Sequence, residues 1–123
     1  MKIIEAISRI DDLKRNTFGY PDKVTWLSTL DSMVKRLVID TNEGGEGIVF
    51  EGYTAETDPE TELLVYAPFD EVYLKWLEAQ MDYANREYDS YNNAVEAFNT
   101  AWTAYKNDYN RTHMPKGRGM KYF

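Results

Sequence analysis

Chemistry in this chain would have to come from a short list of side chains. His113 is the single histidine and there is no cysteine, which removes thiolate zinc sites, histidine clusters and cysteine nucleophiles together. Placed just before Met114 and Pro115, His113 reads as a helix-end capping or surface residue. The run Glu56, Asp58, Glu60 and Glu62 alternates as a calcium loop does, yet it lacks the invariant glycine and the frame of an EF-hand. Gly44, Gly45 and Gly47 are not followed by Lys-Ser/Thr, so they read as turn glycines and not as a phosphate cradle. Asp11 with Asp12, and Glu78 with Asp82, are carboxylate pairs on expected helices that read as solvated faces. No catalytic residue, cofactor or metal is expected from these patterns.

A basic and aromatic cluster closes the chain. Arg111, Lys116, Arg118 and Lys121 are interleaved with Tyr109, Tyr122 and Phe123, a pattern that nucleic-acid binders can carry. Four cations beside a chain of net charge −7 make a weak duplex binder, and specific nucleic-acid binding is not expected. The preferred reading is a tail over 114–123 that orders only on docking to a partner, with Tyr122 and Phe123 as anchors. Pro115, Gly117 and Gly119 keep this tail from being helical.

The charges are sharply partitioned. Positions 40–71 hold ten acidic residues and no Lys or Arg, whereas no acid follows Asp108. An acidic middle and a basic end can set unlike charges against neighbouring copies or other partners. The simpler reading is a solvated acidic loop and a solvated tail. Glu56, Asp58, Glu60, Glu62, Arg111, Lys116, Arg118, Lys121, Tyr122 and Phe123 are the candidate partner-interface residues.

The elements that must position these groups are mainly helical. With 123 residues the chain has room for one domain with its own core. Residues 1–113 are expected to form it, with 114–123 as a flexible basic tail. Ile3, Ala6, Ile7, Ile10 and Leu13 recur at helical spacing and predict a first helix over 2–15. Pro21 and Asp22 suit the first turn of a second helix running to about Val38, apolar over more than one face. The β-prone stretches Ile48, Val49, Phe50, Tyr53 and Leu63, Leu64, Val65, Tyr66 predict a short β-hairpin around residues 48–66 within the acidic loop 40–67. Pro68 opens the next helical stretch.

From there, Leu74, Leu77, Met81, Ala84, Tyr88, Tyr91, Val95, Phe98, Trp102, Tyr105 and Tyr109 follow at alternating spacings of three and four. Such a stripe is one face of a single long helix or of two helices in phase. A compact core favours two antiparallel helices broken near 85–93, with Ser90 or Asn92 as a cap. The expected fold is therefore mainly α, a small bundle of about four helices with an inserted hairpin. No run is apolar enough to span a membrane, and the first ten residues carry Glu5 and Arg9 inside a helical pattern, unlike a signal peptide. The absence of cysteine fits a reducing compartment, and synthesis in a cytoplasm is expected.

Residues 63–73 (LLVYAPFDEVY), 76–85 (WLEAQMDYAN), 87–93 (EYDSYNN) and 109–115 (YNRTHMP) resemble small proteins encoded in the head-morphogenesis region of tailed bacteriophages and of prophages in Gram-positive bacteria. Residues 4–7 (IEAI) and 26–31 (WLSTLD) resemble the same group. The resemblance spans nearly the whole chain as general texture and contains no active-site signature. It implies a non-enzymatic virion assembly protein of the head–tail connector (adaptor) class. Members are mostly helical subunits that form a ring with other copies and join the portal to tail-side proteins. The alternative is a phage-encoded acidic inhibitor, a DNA mimic or anti-defence protein that occupies a host protein.

Overall fold

The computed structural model describes residues 1–116, and the outer part of the expected tail, including Arg118, Lys121, Tyr122 and Phe123, lies outside them. The fold is a small, mainly helical bundle. Helix α1 spans Ile3–Leu13, α2 Tyr20–Val34, α3 Val72–Ala84 and α4 Tyr88–Thr112.

Helix α1 buries Ile3, Ala6, Ile7 and Ile10, the stripe that its spacing predicts, and leaves Leu13 exposed. Its first amides are satisfied from far along the chain. Ile3 N–H donates to Thr61 O and Ile4 N–H to Pro59 O, both at 3.0 Å, while Glu5 accepts from Lys2 N–H at 3.1 Å. Helix α2 has Pro21 in its first turn and buries Val24, Leu27, Leu30 and Val34. It does not continue as an α-helix to Val38. A π-helical turn over Lys35–Ile39 follows, closed by Asp40 N–H to Lys35 O at 2.8 Å. The wider turn places both Val38 and Ile39 in the core and rotates Leu37 outward, where it is 51% exposed.

The expected β-hairpin is absent: no strand occurs among the described residues. A strand pair needs the two stretches to satisfy each other's main chain, and here those groups are taken elsewhere. Tyr53 N–H donates to Ser28 Oγ at 3.0 Å, Leu64 N–H to Asp31 Oδ2 at 3.1 Å and Val65 N–H to the Tyr73 hydroxyl at 2.7 Å. Leu63 N–H bonds Met1 O at 2.9 Å. The segment is thus an extended strap laid over α1, α2 and α3, burying Tyr53, Leu63 and Val65. Val49, one of the β-prone residues of the expected hairpin, is 77% exposed.

A 3-10 turn at Phe69–Glu71 carries Pro68 and the acids Asp70 and Glu71 into α3. Helices α3 and α4 then form a helical hairpin and share the most extensive contact between elements. The break falls at residues 85–87, at the front of the expected interval, and α4 starts at Tyr88 without using Ser90 or Asn92 as a cap. Its chemistry is that of a Schellman motif. Arg86 N–H donates to Tyr83 O at 3.0 Å and Glu87 N–H to Asp82 O at 2.9 Å, with Arg86 itself left-handed at φ 59°. Within the hairpin Trp76 meets Phe98 at 5.2 Å between ring centroids, and Phe98, Trp102, Tyr105 and Tyr109 continue ring to ring down α4.

A left-handed arginine costs about 1 kcal/mol relative to glycine at such a position. Arg86→Gly is therefore expected to leave stability unchanged or to raise it by up to about 1 kcal/mol, whereas Ala104→Gly in the exposed middle of α4 lowers it by about 1 kcal/mol. Urea unfolding of both variants checks this, and equal losses would mean that the turn does not need its positive φ.

Candidate functional site

Asp31, on α2, is a fully buried carboxylate. Its carboxylate accepts from the Tyr53 hydroxyl at 2.5 Å, the Tyr73 hydroxyl at 2.6 Å and the Leu64 amide. Tyr73 in turn accepts from Val65 N–H, so one carboxylate and one hydroxyl hold α2, the strap and α3 at a single place. Burial pushes Asp31 above the ordinary aspartate value, against the opposing pull of the two tyrosines and the Leu64 amide. Burial also raises both tyrosines, with the Asp31 charge acting in the same direction. A buried, shifted carboxylate is a candidate catalytic group on chemistry alone. Each contact named for this one, however, is a tie between elements of the fold.

A second buried carboxylate, Asp82 at the end of α3, lies 2.7 Å from Lys14 Nζ, with the amine off the axis of a good hydrogen bond. Asp82 holds Lys14 above its ordinary value, although partial burial works against it. This pair fixes the C-terminal end of α1 to that of α3. Lys23, also buried, meets Asp11 at 2.7 Å. Burial pushes Asp11 up, but its hydrogen bonds from Asn16 and Lys23 outweigh that and leave it lowered. The expected solvated pairs Asp11–Asp12 and Glu78–Asp82 are thus only partly so, because one member of each holds a lysine.

The acidic run is not a single patch. Glu60 pairs with Lys2 at 2.8 Å and Glu62 with the Met1 amino group at 3.3 Å, both on the α1 side. Glu60 raises Lys2, chiefly through their hydrogen bond. Glu56 is exposed at the outer bend of the strap, and Asp58 is drawn into a local turn by Glu60 N–H at 2.9 Å. Among the described residues no three metal-ligating side chains converge.

The basic end meets a different set of acids. Arg111 pairs with Asp108 at 3.2 Å within α4, and Asp108 also accepts from the Tyr66 hydroxyl at 2.9 Å. Lys116 stands 3.7 Å from Glu46. His113 stacks on Tyr109 with ring centroids 3.9 Å apart and planes 7° from parallel, and its Nδ1 lies 3.2 Å from Tyr109 O at the helix end. The structure thus brings Lys116 to the acidic turn after α2 and leaves Glu56, Asp58, Glu60 and Glu62 at another surface.

Sequence reasoning did not single out the opposite end of α4. Tyr83 and Tyr88 are 60% and 54% exposed and sit with Tyr91 around the α3–α4 turn, at centroid distances of 6.3 Å and 5.3 Å from Tyr83. Tyr88 and Tyr91 belong to the stripe, whose strict spacing hid the change from core to surface. The signal that could have exposed it was composition, since Asn85, Arg86, Glu87, Asp89 and Ser90 surround these rings with polar residues. None of the helices is long and apolar enough to cross a membrane among the described residues. No protein-family model, no curated protein and no solved structure matches the chain.

Tyr73→Phe orphans a buried carboxylate oxygen and a buried amide, at an expected cost of about 2–4 kcal/mol. Tyr105→Phe, which removes a buried hydroxyl bonded to no described side chain, should cost far less. Asp31 adds a pH signature. A carboxyl raised in the native state takes up its proton at a higher pH than in the unfolded chain, so its contribution to stability grows as pH falls through the native value and is lost as pH rises. The stability of wild type relative to Asp31→Asn should therefore improve from neutrality toward the ordinary aspartate range. Parallel pH curves in denaturant titrations would show that Asp31 is not shifted.

Proposed function

We propose that this chain is a non-enzymatic virion assembly protein, a head–tail connector subunit that forms a ring with copies of itself and joins the phage portal to tail-side proteins. The observation that carries the proposal is the pair of unlike surfaces at the two ends of α4. Its 25 residues span about 37 Å at 1.5 Å per residue. The exposed Tyr83 and Tyr88 stand at one end, and the acid–base pairs Asp108–Arg111 and Glu46–Lys116 at the other. A ring subunit needs two different faces for its two neighbours, because a heterologous contact that closes makes a ring. Exposed tyrosines beside polar residues suit a protein interface, where they supply contact area with little loss of side-chain freedom.

The resemblance of residues 63–73, 76–85, 87–93 and 109–115 to head-morphogenesis proteins supports the same reading, and with it synthesis in a bacterial cytoplasm and residence in the virion. An acidic inhibitor imitating DNA would need its carboxylates in a continuous row, whereas Glu60 and Glu62 face cationic groups of their own chain.

Deleting the coding sequence from its phage or prophage is expected to yield DNA-filled heads without tails, seen by electron microscopy and restored by expression in trans. Tyr83→Ala with Tyr88→Ala should change the free subunit's stability by no more than about 0.5 kcal/mol, as exposed positions do, while failing to restore tailed particles. Normal tailed, infectious particles from the deletion strain would overturn the proposal.

A further inference from the structure

The C-terminal end of α4 turns back onto the body. His113 leaves the helix in an extended conformation, φ −133° and ψ 124°, and the next three residues run antiparallel to the turn that follows α2. Glu43 N–H donates to Met114 O at 2.8 Å and Lys116 N–H to Thr41 O at 3.0 Å. These bonds flank the Asn42–Pro115 pair, and Lys116 lies beside Glu46.

The two halves of this clasp are unequal. The 41–46 half is built into the core. Asn42 is fully buried, and its Nδ2 donates to Val38 O at 2.6 Å and to Asn110 Oδ1 at 2.9 Å. Gly45 packs so closely on Ile39 that a Cβ there would fall 2.7 Å from Ile39 O. The 114–116 half buries little, with Met114 61% exposed and Lys116 exposed. A firm edge that holds a lightly seated strand through main-chain bonds accepts any strand of the same sequence without losing a hydrogen bond. Charge favours the same pairing, since Glu43 and Glu46 lie around the edge and the incoming strand carries Lys116.

We infer that the clasp is exchangeable: the 114–116 strand of one copy pairs with the 41–43 edge of a neighbouring copy, which makes this edge a docking site for a second copy of the chain. The inference rests on the reading of the chain as a self-assembling subunit. Each copy has one strand to give and one edge to fill, so exchange closes as a reciprocal pair or as a ring.

The chain has no cysteine, so introduced thiols report on pairing without background. Positions 43 and 114 face each other across the clasp, and antiparallel partners of this kind approach to about 5.5 Å between Cα atoms, within disulfide range. The full chain carrying Glu43→Cys and Met114→Cys together is expected to form an internal bridge on mild oxidation. An isotope-heavy Glu43→Cys chain mixed with a light Met114→Cys chain at high concentration should give a heavy–light 43–114 disulfide peptide by mass spectrometry. A chain with Ser8→Cys, at an exposed position on α1, should not give such a peptide in place of Met114→Cys. Bridging confined to single chains, with no heavy–light peptide above that control, overturns exchange and leaves the connector reading to the deletion experiment. Failure of the double variant to bridge at all overturns the clasp itself.

Discussion

A carboxylate removed from water must be met by donors, and Asp31 satisfies that demand by collecting three of them from two other parts of the chain. Tyr73 comes from α3, and Tyr53 and Leu64 come from the strap. The strap has no ladder of its own, so its course over the bundle follows from where these donors have to stand. The same constraint sets the pitch of α3 against α2: with Tyr73 at Asp31, the Trp76 indole reaches Trp26 O at 2.7 Å one turn further along. Replacing the set by apolar groups of equal volume would remove a costly desolvation, but it would also remove a feature that fixes the register of the strap on α2 and α3.

At the other end of α3 the Lys14–Asp82 pair and the Schellman turn act on adjacent residues. Asp82 offers its carboxylate to α1 and its carbonyl to Glu87, so the docking of α1 and the reversal of the chain into α4 share one residue. A three-residue break at 85–87, with Arg86 left-handed, is enough to fold 38 helical residues, Val72–Ala84 plus Tyr88–Thr112, back on themselves. Doing so places one half of the aromatic stripe inside the bundle and its turn-proximal tyrosines outside.

Periodicity made the four helices legible, because Ile3, Ala6, Ile7 and Ile10, and Leu74, Leu77 and Met81, recur at the spacing that buries one face. It could not reveal the turn at 85–87, since the stripe keeps its phase there and the left-handed position is occupied by arginine where glycine would have announced it. The absence of the expected hairpin has a similar cause. Val49 and Phe50 have strand-forming side chains, but strand formation depends on a free partner, and the amides of Tyr53, Leu64 and Val65 were already matched by side chains distant in sequence. The acidic run and the basic end were visible as charges. Which acid meets which base was not, because Lys116 finds Glu46 through the clasp and not through any pattern in the run 56–62.

The way α1 is capped has a consequence for the order in which the molecule can be made. Its leading amides bond Thr61 and Pro59, residues that leave the ribosome long after α1 does. A helix of 11 residues is marginal alone in water. Helix α1 is thus consolidated only when the strap closes over it, while the α3–α4 hairpin can form from neighbouring residues as soon as both are available. The emerging chain keeps the apolar face of α1 open until residues 59–61 have been translated, which makes that interval a stage exposed to aggregation and to chaperones.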